Sequence, residues 1–164
     1  MELVVVGKLV NTHGLKGEVK IKSDFERKDL IFKKGKKLII DNTEFVIKNY
    51  KVYKDTDLLQ FEGYIHINDI EQYKGYLVYI DRDRLELADG DYIYADLIGM
   101  KVVNSKGTFG SIVDYTNNIN PLLEVNFDNK TYYIPLKSDF IERVSVKENK
   151  IYVNDRIEEL IIWK

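Results

Sequence analysis

The chain has 164 residues, 45% of them hydrophobic and 32% charged, which is the composition of a folded protein with one or two small domains. The absence of cysteine excludes disulfides, thiolate nucleophiles and cysteine-bound metals, and no apolar stretch approaches the roughly 20 residues that cross a bilayer. These features predict a cytoplasmic protein, and the formal net charge of −2 says nothing by itself about nucleic-acid binding.

The first half of the chain is predicted to form six short strands. Residues 18–22 alternate strictly, with Val19 and Ile21 on one face and charged residues on the other, as a half-buried strand requires. The other five strands are predicted at residues 3–10, 37–40, 44–53, 58–62 and 77–80. Because so few residues cannot otherwise protect open sheet edges, we expect these strands to close into a barrel.

One helix is predicted among these strands. Asn68 is a candidate N-cap for a helix over residues 69–74, because acidic residues occupy its first turn and Gly75 lies where a helix typically ends.

The loop between the first two strands contains Gly14 and Gly17 on either side of Leu15 and Lys16. Glycine permits a tight turn or a positive φ, so the loop is predicted to present Lys16 outward. The surrounding residues 8–37 contain ten basic and four acidic residues. This local positive charge either attracts phosphate or forms a solvated lysine-rich face, and both interpretations stay open at this point.

The second half of the chain begins after the charged stretch 81–91, which has little periodicity and is predicted to be a linker or strand exit. A second series of strands is predicted at residues 101–103, 110–115, 122–127, 131–136, 141–146 and 151–153. The tail, residues 156–163, is predicted to form a helical turn that packs apolar side chains onto these strands. The chain is therefore predicted to be mostly β, with one or two short helices and two small β-barrels, residues 1–85 and 92–164, joined by linker residues 86–91.

No catalytic set stands out in the sequence. His13 and His66 are far apart and fit no metal-binding spacing, and no nucleophile elbow, Walker loop or dinucleotide motif occurs. Each acidic pair fits a solvated strand face or turn better than a general acid and base. We therefore predict no catalytic, metal-binding or cofactor-binding residues and a protein that is not an enzyme.

The start of the second domain is rich in tyrosine. Tyr92 and Tyr94 are expected on one side of an extended segment, with Ile93 on the other. Aromatic residues here belong to the core or anchor a partner, and composition alone favours the core.

Two motifs, in this order, resemble the RimM family of ribosome maturation factors. The first is residues 6–20, VGKLVNTHGLKGEVK, and the second is the tyrosine-rich segment 92–99, which ends in DLIG. The resemblance extends over essentially the whole chain, with further matches at Gly110, residues 121–125, Ile134-Pro135, Asp139-Phe140 and Val144.

This resemblance implies an N-terminal six-stranded barrel like those of translation factors and a C-terminal PRC-type barrel. It implies a cytoplasmic role in late maturation of the small (30S) ribosomal subunit. The protein would bind small-subunit ribosomal protein number nineteen in the subunit head and promote rRNA processing without being the nuclease. The family has an adjacent aromatic pair that is implicated in binding the subunit. Its positions here are Tyr92 and Ile93, so isoleucine replaces the second aromatic residue. With Tyr94 and Asp96, these are the candidate ribosomal-protein-binding residues.

The candidate rRNA-facing residues are Lys8, His13, Lys16, Lys20 and Lys22. We expect a monomer without a cofactor. One alternative is a PRC-barrel or translation-type barrel module that serves another RNA or protein complex. A second is a small carboxylate-dependent hydrolase acting on RNA, which requires two acids that converge in a pocket, and the sequence shows no candidate pair.

Overall fold

The computed structural model describes residues 1–161. The chain divides into two compact units, of which the first comprises residues 1–87 and the second begins at Ala88.

The first unit is a closed barrel of six antiparallel strands. Around the barrel the strands follow the order β1-β2-β5-β4-β3-β6, and β6 pairs with β1 to complete the ring. The predicted six-stranded barrel is confirmed. Its strands are β1 (Leu3–His13), β2 (Glu18–Lys22), β3 (Lys37–Ile40), β4 (Thr43–Tyr53), β5 (Thr56–Phe61) and β6 (Leu77–Asp81).

These strands are connected by α1 (Lys28–Ile31), α2 (Ile67–Ile70) and a 3₁₀ turn at Glu71–Tyr73, and a second 3₁₀ turn at Arg82–Leu85 follows β6. The predicted helix near residue 70 is present, but the predicted cap was wrong. His66 is the N-cap, and its Nδ1 accepts a hydrogen bond from the backbone N–H of Asn68 at 3.3 Å. Asn68 therefore lies inside the helix. The helical stretch stops before Gly75, whose φ is +94°.

The core of the first unit consists of the inward-facing strand residues. Val19 and Ile21 of β2 are buried, as their alternation predicts, and the rings of Phe45 and Phe61 lie 5.0 Å apart at the centre. Full burial of each such side chain contributes about 1.5–3 kcal/mol, so these residues specify which face of each strand points inward.

The second unit is a six-stranded sheet in the order β10-β9-β8-β7-β12-β11. All neighbours are antiparallel except β7 and β12, which are parallel. Tyr132 and Ile134 on β10 share one buried cluster with Ile151 and Val153 on β12, so the sheet curls around a common core. The strands are β7 (Lys101–Asn104), β8 (Gly107–Thr116), β9 (Leu122–Phe127), β10 (Lys130–Pro135), β11 (Ile141–Ser145) and β12 (Lys150–Val153).

The tail of the second unit is a 3₁₀ helix at Asp155–Leu160, and its Ile157 is fully buried against the sheet. The predicted helical turn is thus present through Leu160, and its last residues, 162 and 163, lie outside the described part of the chain. Within residues 1–161, no helix is long and apolar enough to span a membrane.

Candidate functional site

The loop between β1 and β2 is held in one conformation by its neighbours. Gly14 and Gly17 have φ values of +68° and +88°, and a Cβ at Gly17 would collide with the carbonyl oxygen of Tyr64. The backbone N–H of Ile67 donates to the carbonyl of Leu15 at 3.0 Å. Glycine is therefore required at residue 17 both for its φ and for close packing.

Lys16, the basic residue of this loop, is exposed. Its backbone carbonyl accepts a hydrogen bond from the Gln60 side chain at 3.0 Å, so the loop is tied to β5 as well. This geometry presents the Lys16 side chain from a fixed backbone.

Eight of the ten basic residues in 8–37 fall into two groups in the structure, and Lys33 and Lys34 belong to neither. One group forms salt bridges within the first unit: Arg27 with Asp29, Lys28 with Asp57, Lys36 with Glu86, and Lys37 with Glu44. The second group contains the predicted residues Lys8, Lys16, Lys20 and Lys22, which form no salt bridge within the described residues 1–161. The charge of this second group is therefore available to a partner.

Lys8, Lys20 and Lys22 lie on the outward face of neighbouring strands. Lys8 of β1 and Lys22 of β2 are direct cross-strand partners. Like charges at directly opposite positions destabilise a sheet, by up to about 1 kcal/mol, so this arrangement has no benefit for folding. It does create a concentrated positive charge suited to phosphate. We call Lys8, Lys16, Lys20 and Lys22 the basic face.

His13, the remaining candidate of the first unit, is half-buried at the end of β1. Its ring packs against Tyr53 of β4, with 5.2 Å between ring centroids. Sequence reasoning did not single out Tyr53, because the two residues are 40 positions apart and only the folded barrel brings them together.

Residues 92–97, near the start of the second unit, are held in place by two of the candidate ribosomal-protein-binding residues, Ile93 and Asp96. The Ile93 side chain is 1% exposed and belongs to the core, so it is not available to a partner. Asp96 accepts a hydrogen bond from the Ile93 N–H at 3.1 Å. The predicted extended segment is extended only up to Ile93, because Tyr94–Leu97 forms a 3₁₀ turn.

Tyr92 and Tyr94 lie on either side of this anchor and are both half-buried. Tyr92 packs against the core cluster, and its burial, followed by the nearby Tyr94 and Asp91, raises the pKa of its phenol. The Tyr94 ring meets the Tyr115 ring edge-on, with centroids 6.0 Å apart. We call Tyr92, Tyr94 and Tyr115 the tyrosine cluster. Tyr115 was not predicted, since β8 carries it to this position from 21 residues away.

Within the described residues, no group of three or more His, Asp or Glu side chains is placed to hold a metal ion. The acidic residues that do meet other side chains mostly serve salt bridges, as Asp57 does with Lys28 at 2.8 Å.

Comparison with known proteins gives consistent matches along the chain. Residues 4–85 match the model of the RimM N-terminal domain, and residues 94–158 match the model of the RimM PRC barrel domain. Two similar relatives are the proteins named ribosome maturation factor RimM from Staphylococcus haemolyticus (strain JCSC1435), 35% identical over 158 residues, and from Staphylococcus aureus (strain MRSA252), 34% identical over 158 residues. Each alignment covers 92% of this chain and 94% of the relative.

Two solved structures are similar at lower identity. The crystal structure of a RimM protein from Pseudomonas aeruginosa aligns with 96% of this chain and 99% of its own, with a TM-score of 0.42 and 19% identity. The solution structure of the RimM N-terminal domain from Thermus thermophilus aligns with 52% of this chain and 95% of its own, with a TM-score of 0.45 and 19% identity.

Proposed function

The chain belongs to the RimM family, and we propose that it is a ribosome maturation factor that binds the immature small ribosomal subunit and favours late assembly without catalysing a reaction. Two observations support this proposal. Both RimM domain models match the chain in order, and relatives named ribosome maturation factor align with it over nearly their whole length.

The tyrosine cluster is the proposed contact for a ribosomal protein, small-subunit protein number nineteen in the subunit head. The observation that carries this assignment is the half-exposed Tyr92 and Tyr94 on either side of the buried Ile93. Aromatic rings on a backbone that is already ordered lose little conformational entropy on binding and bury a large apolar area. Residues of this kind often dominate the affinity of protein interfaces.

The basic face is the proposed contact for rRNA. Lys8, Lys16, Lys20 and Lys22 have no acidic partner in the described structure, so binding to phosphate releases counterions without breaking an internal salt bridge. The affinity for the subunit should therefore fall as the salt concentration rises.

Binding alone can promote maturation. A protein that prefers one conformation of the immature head shifts the population toward that conformation by its difference in affinity for the two states. Processing of small-subunit rRNA by a separate nuclease then proceeds from the favoured state. This mechanism requires no active site in the chain.

The test is co-sedimentation of the tagged protein with ribosomal particles in sucrose gradients. The wild type should travel with free small subunits and not with assembled ribosomes. Tyr92→Ala and Tyr94→Ala should each lower the amount bound by about tenfold or more, the typical effect at an aromatic anchor. Tyr133→Ala is the matched control, because Tyr133 lies in the same unit, is 47% exposed and is outside the tyrosine cluster.

Thermal unfolding of each variant separates lost contact from lost fold, which matters for Tyr92 because its ring packs on the core. Unchanged sedimentation of both variants would refute the assignment of the tyrosine cluster. Association of the wild type with a different RNA or protein complex, and not with small subunits, would favour the alternative of a binding module that serves another assembly.

A further inference from the structure

The hairpin of β4 and β5 has an exposed tip. Lys54 and Asp55 form its turn with φ values of +49° and +61°, and the preceding Val52 and Tyr53 are exposed by 61% and 46%. Both side chains are thus partly exposed at the end of the hairpin, on opposite faces because consecutive strand residues alternate.

The hairpin curls over the outward face of β1 and β2. Leu58 of β5 is paired with Lys20 on one side and Lys51 on the other, which places it on the same outward face as Lys20, yet it is only 1% exposed. An outward residue becomes this buried only when neighbouring side chains cover it. The outward surface is therefore concave here, with Leu58 at its floor.

His13 and Tyr53 meet across this concave surface. Their ring centroids are 5.2 Å apart with an interplanar angle of 54°, although β1 and β4 are not neighbours in the barrel. Lys51 of β4 also reaches Glu18 of β2, at 3.4 Å. These two contacts hold the hairpin over the strands that carry the basic face.

Positive charge surrounds the two rings. The Lys54 ammonium lies 5.4 Å from the centroid of the Tyr53 ring, Lys51 is 58% exposed despite its contact with Glu18, and Lys20 lies on the adjacent strand. Proteins that bind single-stranded nucleic acid typically combine an exposed aromatic ring with nearby lysines on a concave surface. Bases stack on the ring, and the phosphates contact the cations.

We infer that the His13–Tyr53 pair is a stacking site for an unpaired base of RNA, with Lys20, Lys51 and Lys54 contacting the flanking phosphates. The inference rests on the proposed contact of the first unit with rRNA and specifies its form, which is an unpaired nucleotide rather than a duplex. A duplex keeps its bases stacked on each other and cannot offer one to the pair.

The alternative role for Tyr53 is to cover Leu58, and substitutions separate the two roles. Leucine at residue 53 keeps an apolar cover but offers no aromatic face, whereas tryptophan keeps both. Tyr76→Leu is the control, because Tyr76 belongs to the same unit and is 44% exposed but lies outside the concave surface.

The experiment measures the affinity of the full chain for a fluorescently labelled oligouridylate of about ten nucleotides, a length within the range of single-strand binding sites. Tyr53→Leu should weaken binding by about tenfold, while Tyr53→Trp and Tyr76→Leu should bind like the wild type. A duplex RNA of the same length should bind more weakly than the single strand. Equal affinity of Tyr53→Leu and the wild type, or a preference for duplex, would overturn the inference.

Failure here is distinguishable from failure of the proposed function. Tyr94→Ala should lose the small subunit in gradients and keep the affinity for oligouridylate, since it lies in the other unit. If the wild type binds the small subunit but Tyr53→Leu binds the oligonucleotide normally, only the stacking site is refuted. If the oligonucleotide binds through Tyr53 but no subunit is bound, only the proposed function is refuted.

Discussion

Lys8 of β1 and Lys22 of β2 lie directly opposite each other on the outward face of the first barrel, with no salt bridge to either within residues 1–161. Two ammonium groups at such positions repel each other, and a barrel selected only for stability would place opposite charges or uncharged pairs there. A phosphate bound between them, as the proposed contact with rRNA implies, would offset this repulsion.

Removing one of these charges should change stability and binding in opposite directions. Lys22→Gln should raise the free energy of unfolding by a few tenths of a kcal/mol, because the repulsion with Lys8 is relieved. The same change should weaken binding to small subunits and reduce the slope of log affinity against log salt by about one. Urea unfolding and binding at several salt concentrations measure the two effects.

Lys48→Gln is the control for this prediction, since Lys48 is exposed on β4 of the same unit and is not part of the basic face. An equal loss of affinity in Lys22→Gln and Lys48→Gln would mean that net charge, rather than the basic face, determines binding.

The two glycines of the β1–β2 loop should differ in their tolerance of alanine. Both have positive φ, but a Cβ at Gly14 meets nothing within 4 Å, while at Gly17 it would collide with the Tyr64 carbonyl. Gly14→Ala should therefore cost about 1–2 kcal/mol of stability from backbone strain alone, and Gly17→Ala clearly more. Thermal unfolding of the two variants provides the comparison. Equal destabilisation would contradict close packing of the loop on the segment that contains Tyr64.

The phenol of Tyr50 should make the first unit less stable at high pH. Burial first, and then Asp57, whose carboxylate accepts the phenol's hydrogen bond at 2.6 Å, together raise the pKa of Tyr50 from its ordinary value of 10.0 to about 12. Between about pH 10 and 12 the unfolded chain loses this proton while the folded chain retains it. The free energy of unfolding therefore falls as pH rises through that range.

Tyr50→Phe should make this fall shallower, because the substituted residue has no proton to lose. Asp57→Asn should do so only in part, since it removes the charge but leaves the ring buried. Urea titrations from about pH 9 to 12, followed through the methyl resonances of Leu59 in the first core, report this unit separately from the second. The same slope in Tyr50→Phe as in the wild type would exclude Tyr50 as its source.

Most strands were predictable because their signal is local. In β2, Val19 and Ile21 alternate with charged residues, and alternation of period two is a property of adjacent residues that needs no knowledge of the partner strand. The turn at Asp128 and Asn129 has positive φ at both residues, as a tight hairpin requires, and these residue types tolerate that conformation.

The predictions from sequence were wrong where two local patterns compete or where a side chain packs against residues that are distant in the sequence. Asn68 is a good cap by residue type, but His66 takes that position with its ring nitrogen. In the candidate site, Ile93 was grouped with the tyrosines by motif, whereas its side chain is in the core. In a segment without a clear alternating pattern, the neighbouring residues do not show which side chains face the core.

The amino-acid sequence was enough to infer the mostly β fold, the division into two units and the family. Alternation, turn residues and motifs each depend only on residues that are close together in the sequence. The folded chain was needed to show which lysines are free of salt bridges, that Lys8 lies opposite Lys22, and that His13 meets Tyr53. Those relationships depend on strand register and on the curl of a hairpin, and both are set by the burial of the whole core rather than by any short stretch of chain.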